Sequence, residues 1–173
     1  MTTFLPTDYN LPNGTWWSYF KAIEDKQKIR ILSSAITWRV DRDKTGERPR
    51  PIRTIEKQKK IWENEPKHFW ACVVYNYTTG TIQIWEITQK SIQSQLKALI
   101  DGERWNPQDY DIVIWKTGQN METKYYISTT PDWKKDLPVE ITDLRVNSKI
   151  YLEALFVNED PFTYDPWTED IKF

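Results

Sequence analysis

Five stretches of the chain have the hydrophobic pattern of β-strands: apolar positions alternate with polar ones or, in the second stretch, fill both faces. They are KIRILSSAITWRV, KHFWACVVYNY, TIQIWEIT, YDIVIWKTG and TKYYIST. A TTG turn joins the second stretch to the third, which predicts a hairpin. Between the first and the second lies DRDKTGERPRPIRT, where Pro49 and Pro51 predict a long basic loop without regular structure.

One further segment has the period of an amphipathic helix. In TQKSIQSQLKALIDG, four apolar residues fall at i, i+4, i+7 and i+8 and therefore share one helical face: Ile92, Leu96, Leu99 and Ile100. Thr88 can cap the first turn, and Gly102 can end the last one. A second helix is predicted over NSKIYLEALF, nearer the C-terminus.

The predicted elements run in the order strand, long loop, strand, strand, helix, strand, strand. A five-stranded Greek-key barrel of the oligonucleotide-binding (OB) type also has its helix between the third and fourth strands. We therefore predict a mainly β protein, a five-stranded OB-fold barrel with one or two helices. Residues 26–152 would form the barrel, residues 1–25 an aromatic arm packed on or beside it, and residues 153–173 a C-terminal segment with an acidic tail.

Charge is unevenly distributed along the 173 residues, although the formal net charge is only −1. Residues 26–67 contain 13 bases and 6 acids, whereas residues 153–173 contain 6 acids and 1 base. A basic middle and an acidic end indicate either separate partners or a chain that masks its own basic surface. The ten Trp, nine Tyr and six Phe exceed what a core of this size needs, so some rings should lie on the surface.

The single cysteine, Cys72, lies in the apolar run WACVV and should pack as a small unreactive side chain. One cysteine excludes a disulfide framework, which suits a reducing cytoplasm. The N-terminal MTTFLPTDYN lacks the basic and apolar regions of a signal peptide, and no apolar run is long enough to cross a bilayer. We therefore expect a cytoplasmic protein without a membrane partner.

An enzyme is the least favoured functional hypothesis. His68 is the only histidine, and His68 with Cys72 supplies two zinc ligands where a structural site needs four. The motif DRDKTG, with Asp41 and Asp43, resembles the nucleophile loop of aspartyl-phosphate phosphotransferases, but those enzymes need a parallel α/β sheet. We expect no catalysis, no metal and no cofactor, and we interpret this motif as a solvated turn.

Basic and aromatic residues occur together in the middle of the chain. Single-stranded nucleic acid is held by cations that follow the phosphates and by aromatic faces on which bases stack. Trp38 and Trp62 bracket nine basic residues: Arg39, Arg42, Lys44, Arg48, Arg50, Arg53, Lys57, Lys59 and Lys60. The arm adds Trp16 and Trp17. We predict that these residues bind DNA, although a basic run can also be a solvated face.

Alternation along the strands selects further candidates for DNA contact. If Ile112 and Ile114 face the barrel interior, Trp115 faces outward, and the same argument on other strands turns Tyr126 and Trp85 outward. Both faces of KHFWACVVYNY are apolar, so its rings divide between core and surface in a way that alternation leaves open. The strand candidates are Arg30, Tyr75, Tyr77, Trp85, Trp115, Lys116 and Tyr126.

Four segments, which lie in order over roughly residues 5–130, carry a family resemblance: LPTDYNLPNGTWWSYFK, KIRILSS, KHFWACVVYNYTTGTIQIWEITQKSI and YDIVIWKTGQNMETKYYIS. In these the chain resembles small phage-encoded single-stranded DNA-binding proteins of replication and recombination. The resemblance implies an OB-fold barrel that coats single strands with little sequence preference and without catalysis. The related larger phage helix-destabilising proteins add a zinc subdomain, for which this chain lacks the ligands.

The final residues DPWTEDIKF resemble the acidic tails, with a phenylalanine at or near the end, of many bacterial and phage single-strand binders. An acidic strip can compete with DNA for a basic groove, and a terminal aromatic residue can anchor a replication or recombination protein. The candidates for partner binding are Trp167, Glu169, Asp170 and Phe173. In the alternative, the C-terminal aromatic residues pack on the barrel.

The sequence thus predicts a monomeric or small homo-oligomeric protein that binds single-stranded DNA. The main alternative is an OB-fold protein-interaction or recombination-mediator module whose aromatic surface contacts protein instead of bases. An enzyme that uses Asp41 and Asp43 is the third hypothesis.

Overall fold

The computed structural model describes residues 19–43, 50–54, 67–102, 106–130, 136–147, 149–157 and 159–163, with the backbone alone at 40–43, 50–54 and 144–147. These residues form seven strands: β1 (Gln27–Ile31), β2 (Ile36–Asp43), β3 (Arg50–Thr54), β4 (Lys67–Asn76), β5 (Thr81–Ile87), β6 (Asp111–Thr117) and β7 (Lys124–Thr129). They also form helices α1 (Lys90–Asp101) and α2 (Val139–Asn147) and 3-10 turns at Asn120–Glu122 and Leu152–Phe156.

All seven strands belong to one antiparallel sheet, so the prediction of a mainly β fold is confirmed. The strand order is β3-β2-β4-β1-β6-β7, and β5 pairs with the other edge of β4. The long strand β4 pairs with β2 through its first half and with β1 through its second half. In the described part of the chain no ladder joins β5 to β7, and the sheet is therefore open.

The first predicted strand is divided into β1 and β2 by a bulge. Ile31 pairs with Val74 and Ile36 with Ala71, so four residues lie opposite two. The Ser33 hydroxyl oxygen accepts a hydrogen bond from the Val73 amide at 2.9 Å and so satisfies a β4 donor at the break. A serine hydroxyl can replace a ladder partner in this way, whereas the alternation of the sequence continues across the break without a signal.

The prediction of an irregular basic loop is wrong at both of its ends. Strand β2 continues to Asp43, and β3 pairs with it so that Pro51 lies opposite Arg42. Because β3 is the last strand at this edge of the sheet, its proline removes an amide that no further strand needs. Asp41 and Asp43 therefore lie in a strand and not in the predicted turn.

The inner face of the sheet forms one core. It contains Ile112 and Ile114, as predicted, together with the aliphatic residues of β1 and the buried side chains of α1. Trp85 also belongs to this core and is 2 % exposed, so the prediction that it faces outward is wrong. Alternation failed on β5 because both of its faces are buried: Ile84 is 0 % exposed on the opposite face.

A second core lies on the outer face of β4 and β5, which the C-terminal residues cover. Ile141 of α2 and Leu152 and Leu155 of the following 3-10 turn pack there against Phe69 and Trp38. The predicted helix over NSKIYLEALF is a 3-10 turn of five residues, and α2 before it was not predicted. Few apolar residues of α2 recur at helical spacing, and the helix therefore has little period to detect.

Helix α1 spans the space between β5 and β7. The Gln95 side chain accepts a hydrogen bond from the Ile127 amide at 2.9 Å and donates one to the Tyr125 carbonyl at 3.0 Å. Gln93 donates to the Ile87 carbonyl at the end of β5, at 2.9 Å. Ile92 and Leu96 are buried as predicted, but the helix begins after Gln89, and no side chain caps it. The two glutamines thus form hydrogen bonds with backbone groups of β5 and β7 that a ladder between these two strands would otherwise use.

Candidate nucleic-acid interface

Two aromatic rings stack on each other on the outer face of β6 and β7. Trp115 and Tyr126 are directly paired across the two strands. Their ring centroids are 5.4 Å apart, and the ring planes differ by 15°. Tyr126 is 37 % exposed, and Trp115 is half-buried. Both residues point outward as alternation predicts, because Ile112 and Ile114 fill the inner face.

Lysines accompany these rings. The Lys26 ammonium lies 4.8 Å from the centroid of the Trp115 ring, and the Lys28 ammonium lies 4.2 Å from that of Tyr77. We call Lys26, Lys28, Tyr77, Trp115 and Tyr126 the outer platform. A cation held over an aromatic face keeps its charge at the surface beside the ring. The outer platform thus combines the two groups that hold a single strand.

The buried carboxylate of Asp111 contacts two residues of the outer platform, Tyr77 and Lys28. Asp111 accepts hydrogen bonds from the Arg30 guanidinium at 2.7 Å and from the Tyr77 hydroxyl at 2.9 Å. The Lys28 ammonium lies 3.6 Å from the same carboxylate. Burial first, and then the hydrogen bond and charge of Asp111, raise the pKa of Tyr77 to about 12, so the hydroxyl remains a donor.

Three of the predicted DNA-contacting residues are buried, and for these the prediction is wrong. Arg30 is 1 % exposed and forms an ion pair with Asp111. Trp38 is 2 % exposed and stacks on Phe69 at 4.7 Å. Trp85 is 2 % exposed and packs edge-on against Phe20 at 5.6 Å. A base cannot reach the face of a ring or a cation that the protein already covers.

Other predicted residues lie away from the outer platform or at its boundary. Tyr75 packs against the second core and forms an edge-on contact with Tyr77 at 5.1 Å. Lys116 follows Trp115 on β6 but points to the inner side of the sheet, where it lines a pocket. Arg39 is half-buried in β2, on the face opposite to Trp38.

Much of the predicted basic surface lies outside the described residues. This applies to Trp16, Trp17, Lys44, Arg48, Lys57, Lys59, Lys60 and Trp62, and to the tail candidates Trp167, Glu169, Asp170 and Phe173. Three further candidates belong to the β2–β3 ladder by their backbone, namely Arg42, Arg50 and Arg53. The ladder places residues that are eleven positions apart, such as Arg42 and Arg53, within two rungs of each other.

Sequence reasoning missed Lys26 and Lys28. The signal was present, because Lys28 and Arg30 alternate with Ile29 and Ile31 and share the outer side of β1, and Lys26, directly before the strand, continues the same alternation. Asp111 was also missed as their counter-charge, because it lies 81 residues from Arg30 and the contact depends on the β1–β6 ladder.

The described residues also bear on cysteine reactivity, on metal ligation and on membrane spanning. Burial raises the pKa of the Cys72 thiol to about 12, which leaves it protonated and unreactive near neutral pH. Over the described ranges, no three His, Cys, Asp or Glu side chains come together as metal ligands. Nor does any helix there have the length and apolar character needed to span a membrane.

Comparison of the chain with protein-family models, with curated proteins and with solved structures found no match.

Proposed function

We propose that the protein binds single-stranded DNA with little sequence preference and that the outer platform is a stacking surface for bases. The observation that carries the proposal is the parallel Trp115–Tyr126 pair with the Lys26 ammonium 4.8 Å from the Trp115 ring. Unpaired bases of any identity can stack on such rings, while the lysines attract the adjacent phosphates. A duplex hides its base faces and offers phosphates alone.

The connectivity of the sheet supports an OB-type barrel as the framework for this function. Strand β1 pairs with both β4 and β6, β4 pairs with β5, and β6 pairs with β7, while α1 lies between β5 and β6 in the chain. This is the pairing order of a five-stranded Greek-key barrel in which α1 covers the gap between its last two edges. On this interpretation the β2–β3 hairpin is an extension of the barrel that carries part of the basic segment.

A pair of substitutions at one position tests the stacking role. Trp115→Phe keeps a ring, whereas Trp115→Leu keeps apolar bulk without one. We expect Trp115→Leu to weaken binding to oligo-dT by about 1–3 kcal/mol and Trp115→Phe to weaken it clearly less. Fluorescence anisotropy of a labelled strand measures both affinities, and circular dichroism checks the fold. Equal losses for the two variants would contradict stacking.

The alternative function, a module that contacts proteins through the same rings, differs in its ionic behaviour. If about three phosphates are neutralised on a single strand, the logarithm of the binding constant should fall with the logarithm of the salt concentration with a slope of about −2. Duplex of the same length should bind much more weakly. Equal affinity for duplex and single strand would favour a generic basic surface, and no binding to either would favour the protein-interaction module.

The acidic tail remains a separate proposal within this function. We propose that residues 167–173 compete with DNA at low salt and offer Phe173 to a replication or recombination protein. The support is the charge difference between residues 26–67, with 13 bases and 6 acids, and residues 153–173, with 6 acids and 1 base.

A further inference from the structure

A pocket of about 380 Å³ opens where the sheet is not closed, between β5 and β7. The start of α1, the ends of β5 and β6, and residues 19–22 surround it. It lies on the side of β6 and β7 opposite to the outer platform, because Lys116 and Tyr125 face it while Trp115 and Tyr126 face outward. Its volume is in the lower part of the range for sites that hold a small molecule.

Two lysines line the pocket, and the position of one of them is unusual. Lys116 follows Ile112 and Ile114 on the inner face of β6, so an ammonium replaces the next apolar side chain of a core-facing row. Lys21 also lines the pocket and follows Phe20, whose amide donates a hydrogen bond to the Ile84 carbonyl of β5. Among the described residues, neither lysine has an acidic partner within ion-pair distance. A half-buried cation of this kind favours an anionic ligand.

The remainder of the wall is aromatic or neutral. Phe20 and Trp85 line it as an edge-on pair of buried rings, and the half-buried Tyr125 lines it opposite Lys116 in the β6–β7 ladder. The first turn of α1, which contributes Ile92, has no acidic side chain that would repel an anion. Glu86 also lines the pocket, but it is already engaged in an interaction of its own. Rings beside cations suit a ligand with a planar apolar part and a phosphate.

We propose that this pocket binds a nucleoside phosphate, with the phosphate at Lys21 and Lys116 and the base against the half-buried ring of Tyr125. The ligand has two possible sources with the same chemistry: a free mononucleotide, or the 5′-phosphorylated end of a single strand. The inference goes beyond the outer platform and does not require it, since the two sites lie on opposite faces of the β6–β7 ladder.

The test uses calorimetry on the full chain with thymidine 5′-monophosphate, thymidine and inorganic phosphate as separate probes. We expect the monophosphate to bind more tightly than either part alone. Lys116→Gln should weaken its binding about tenfold or more, because a charged hydrogen bond to phosphate is lost. The matched control is Lys124→Gln, which removes an exposed charge from the next rung on the outer side and should change nothing. Should Lys116→Gln not fold, Lys21→Gln at the exposed rim should show the same loss.

Single strands then distinguish the two sources. If the occupant is a strand end, Lys116→Gln should weaken an oligo-dT with a 5′-phosphate and leave the same oligo-dT with a 5′-hydroxyl unaffected. If it is a free nucleotide, both oligonucleotides should bind the variant as they bind the wild type. The proposal is overturned if the monophosphate does not bind, if inorganic phosphate binds equally well, or if Lys116→Gln and the control Lys124→Gln bind the monophosphate alike. Circular single-stranded DNA, which has no end, reports separately on the outer platform.

Discussion

The two halves of the sheet's outer face carry similar residues but have different surroundings. On β4 and β5, Phe69 lies under α2 and the 3-10 turn that follows it, and Trp38 of β2 lies beside it, both at 2 % exposure. On β6 and β7, Trp115 is half-buried and Tyr126 is 37 % exposed, and no described helix covers them. Aromatic side chains on one face of one sheet are thus core in the first half and surface in the second.

The difference shows that an aromatic side chain becomes core or surface according to whether other segments cover it, and not according to the strand that carries it. Both halves place rings on the outer face of the sheet, opposite a buried inner face. The C-terminal residues bury one set and leave the other beside Lys26 and Lys28. The covered half should therefore contribute to stability, and the open half should contribute to binding. Four predictions test this division, from the largest effect to the smallest.

The largest effect is expected in the covered half. Phe69→Ala should lower the free energy of unfolding by about 3–5 kcal/mol, because it removes a fully buried ring that stacks on Trp38. Tyr126→Ala is the control in the open half and should cost about 1 kcal/mol or less, the size of a cross-strand contact. Urea unfolding followed by circular dichroism measures both. Equal costs would mean that the two halves do not differ.

Between the two halves of the outer face lies the buried ion pair of Arg30 and Asp111. Asp111→Ala leaves the guanidinium of Arg30, at 1 % exposure, without its carboxylate and should destabilise the fold by about 3 kcal/mol. Lys28→Ala removes a partner that is 40 % exposed and 3.6 Å away, so it should cost well under 1 kcal/mol. Urea unfolding of the two variants compares them. If Asp111→Ala costs as little as Lys28→Ala, the network is a surface feature and does not anchor the outer platform.

A tyrosine from each half separates binding from stability. Tyr126→Leu should weaken oligo-dT binding by about 1 kcal/mol and change the unfolding midpoint little. Tyr75→Leu, in the covered half, should lower the midpoint and change the affinity of the folded protein less than Tyr126→Leu does, because its ring packs against the second core and meets the outer platform only edge-on, at Tyr77. Anisotropy titrations and thermal melts on the same samples give both quantities. The reverse assignment of losses would refute the division.

The smallest effect concerns alkaline pH. The folded state raises the pKa of Tyr77 from 10.0 to about 12, so the protonated hydroxyl stabilises the fold below pH 10 and this contribution is lost as the pH rises through about 12. Tyr77→Phe should therefore be less stable than its parent at about pH 8, with a difference that shrinks at about pH 11 and above. Cys72→Ala should be present in both proteins, because the pKa of that buried thiol is raised from 9.0 to about 12 and would add its own pH dependence. Urea unfolding across this range checks the trend; a constant difference would show that the Asp111 hydrogen bond does not hold the proton.

The local hydrophobic pattern predicted an element and the orientation of its side chains correctly wherever one face meets the core and the other meets solvent. Helix α1 was predicted to within two residues of its ends, since Ile92 and Leu96 are the buried side and Gly102 ends it. The outward position of Trp115 and Tyr126 followed from the same logic. Alternation misplaced Trp85, because α1, Phe20 and Ala22 occupy one side of β5 and the C-terminal segments occupy the other. A strand that is buried on both sides carries no signal about which ring is covered.

The sequence by itself determined the β content, the position of α1 and the presence of both bases and aromatic rings, because these depend on propensity, period and composition within a few residues. Tertiary structure alone decided which charges and rings remain available. Arg30 is neutralised by Asp111, 81 residues away, and Trp38 is covered by residues more than 100 positions later. Such contacts arise from the order in which strands pair and from the segment that lies over them. A local window contains neither, so the tertiary structure alone decides which of these charges and rings lie together at the surface.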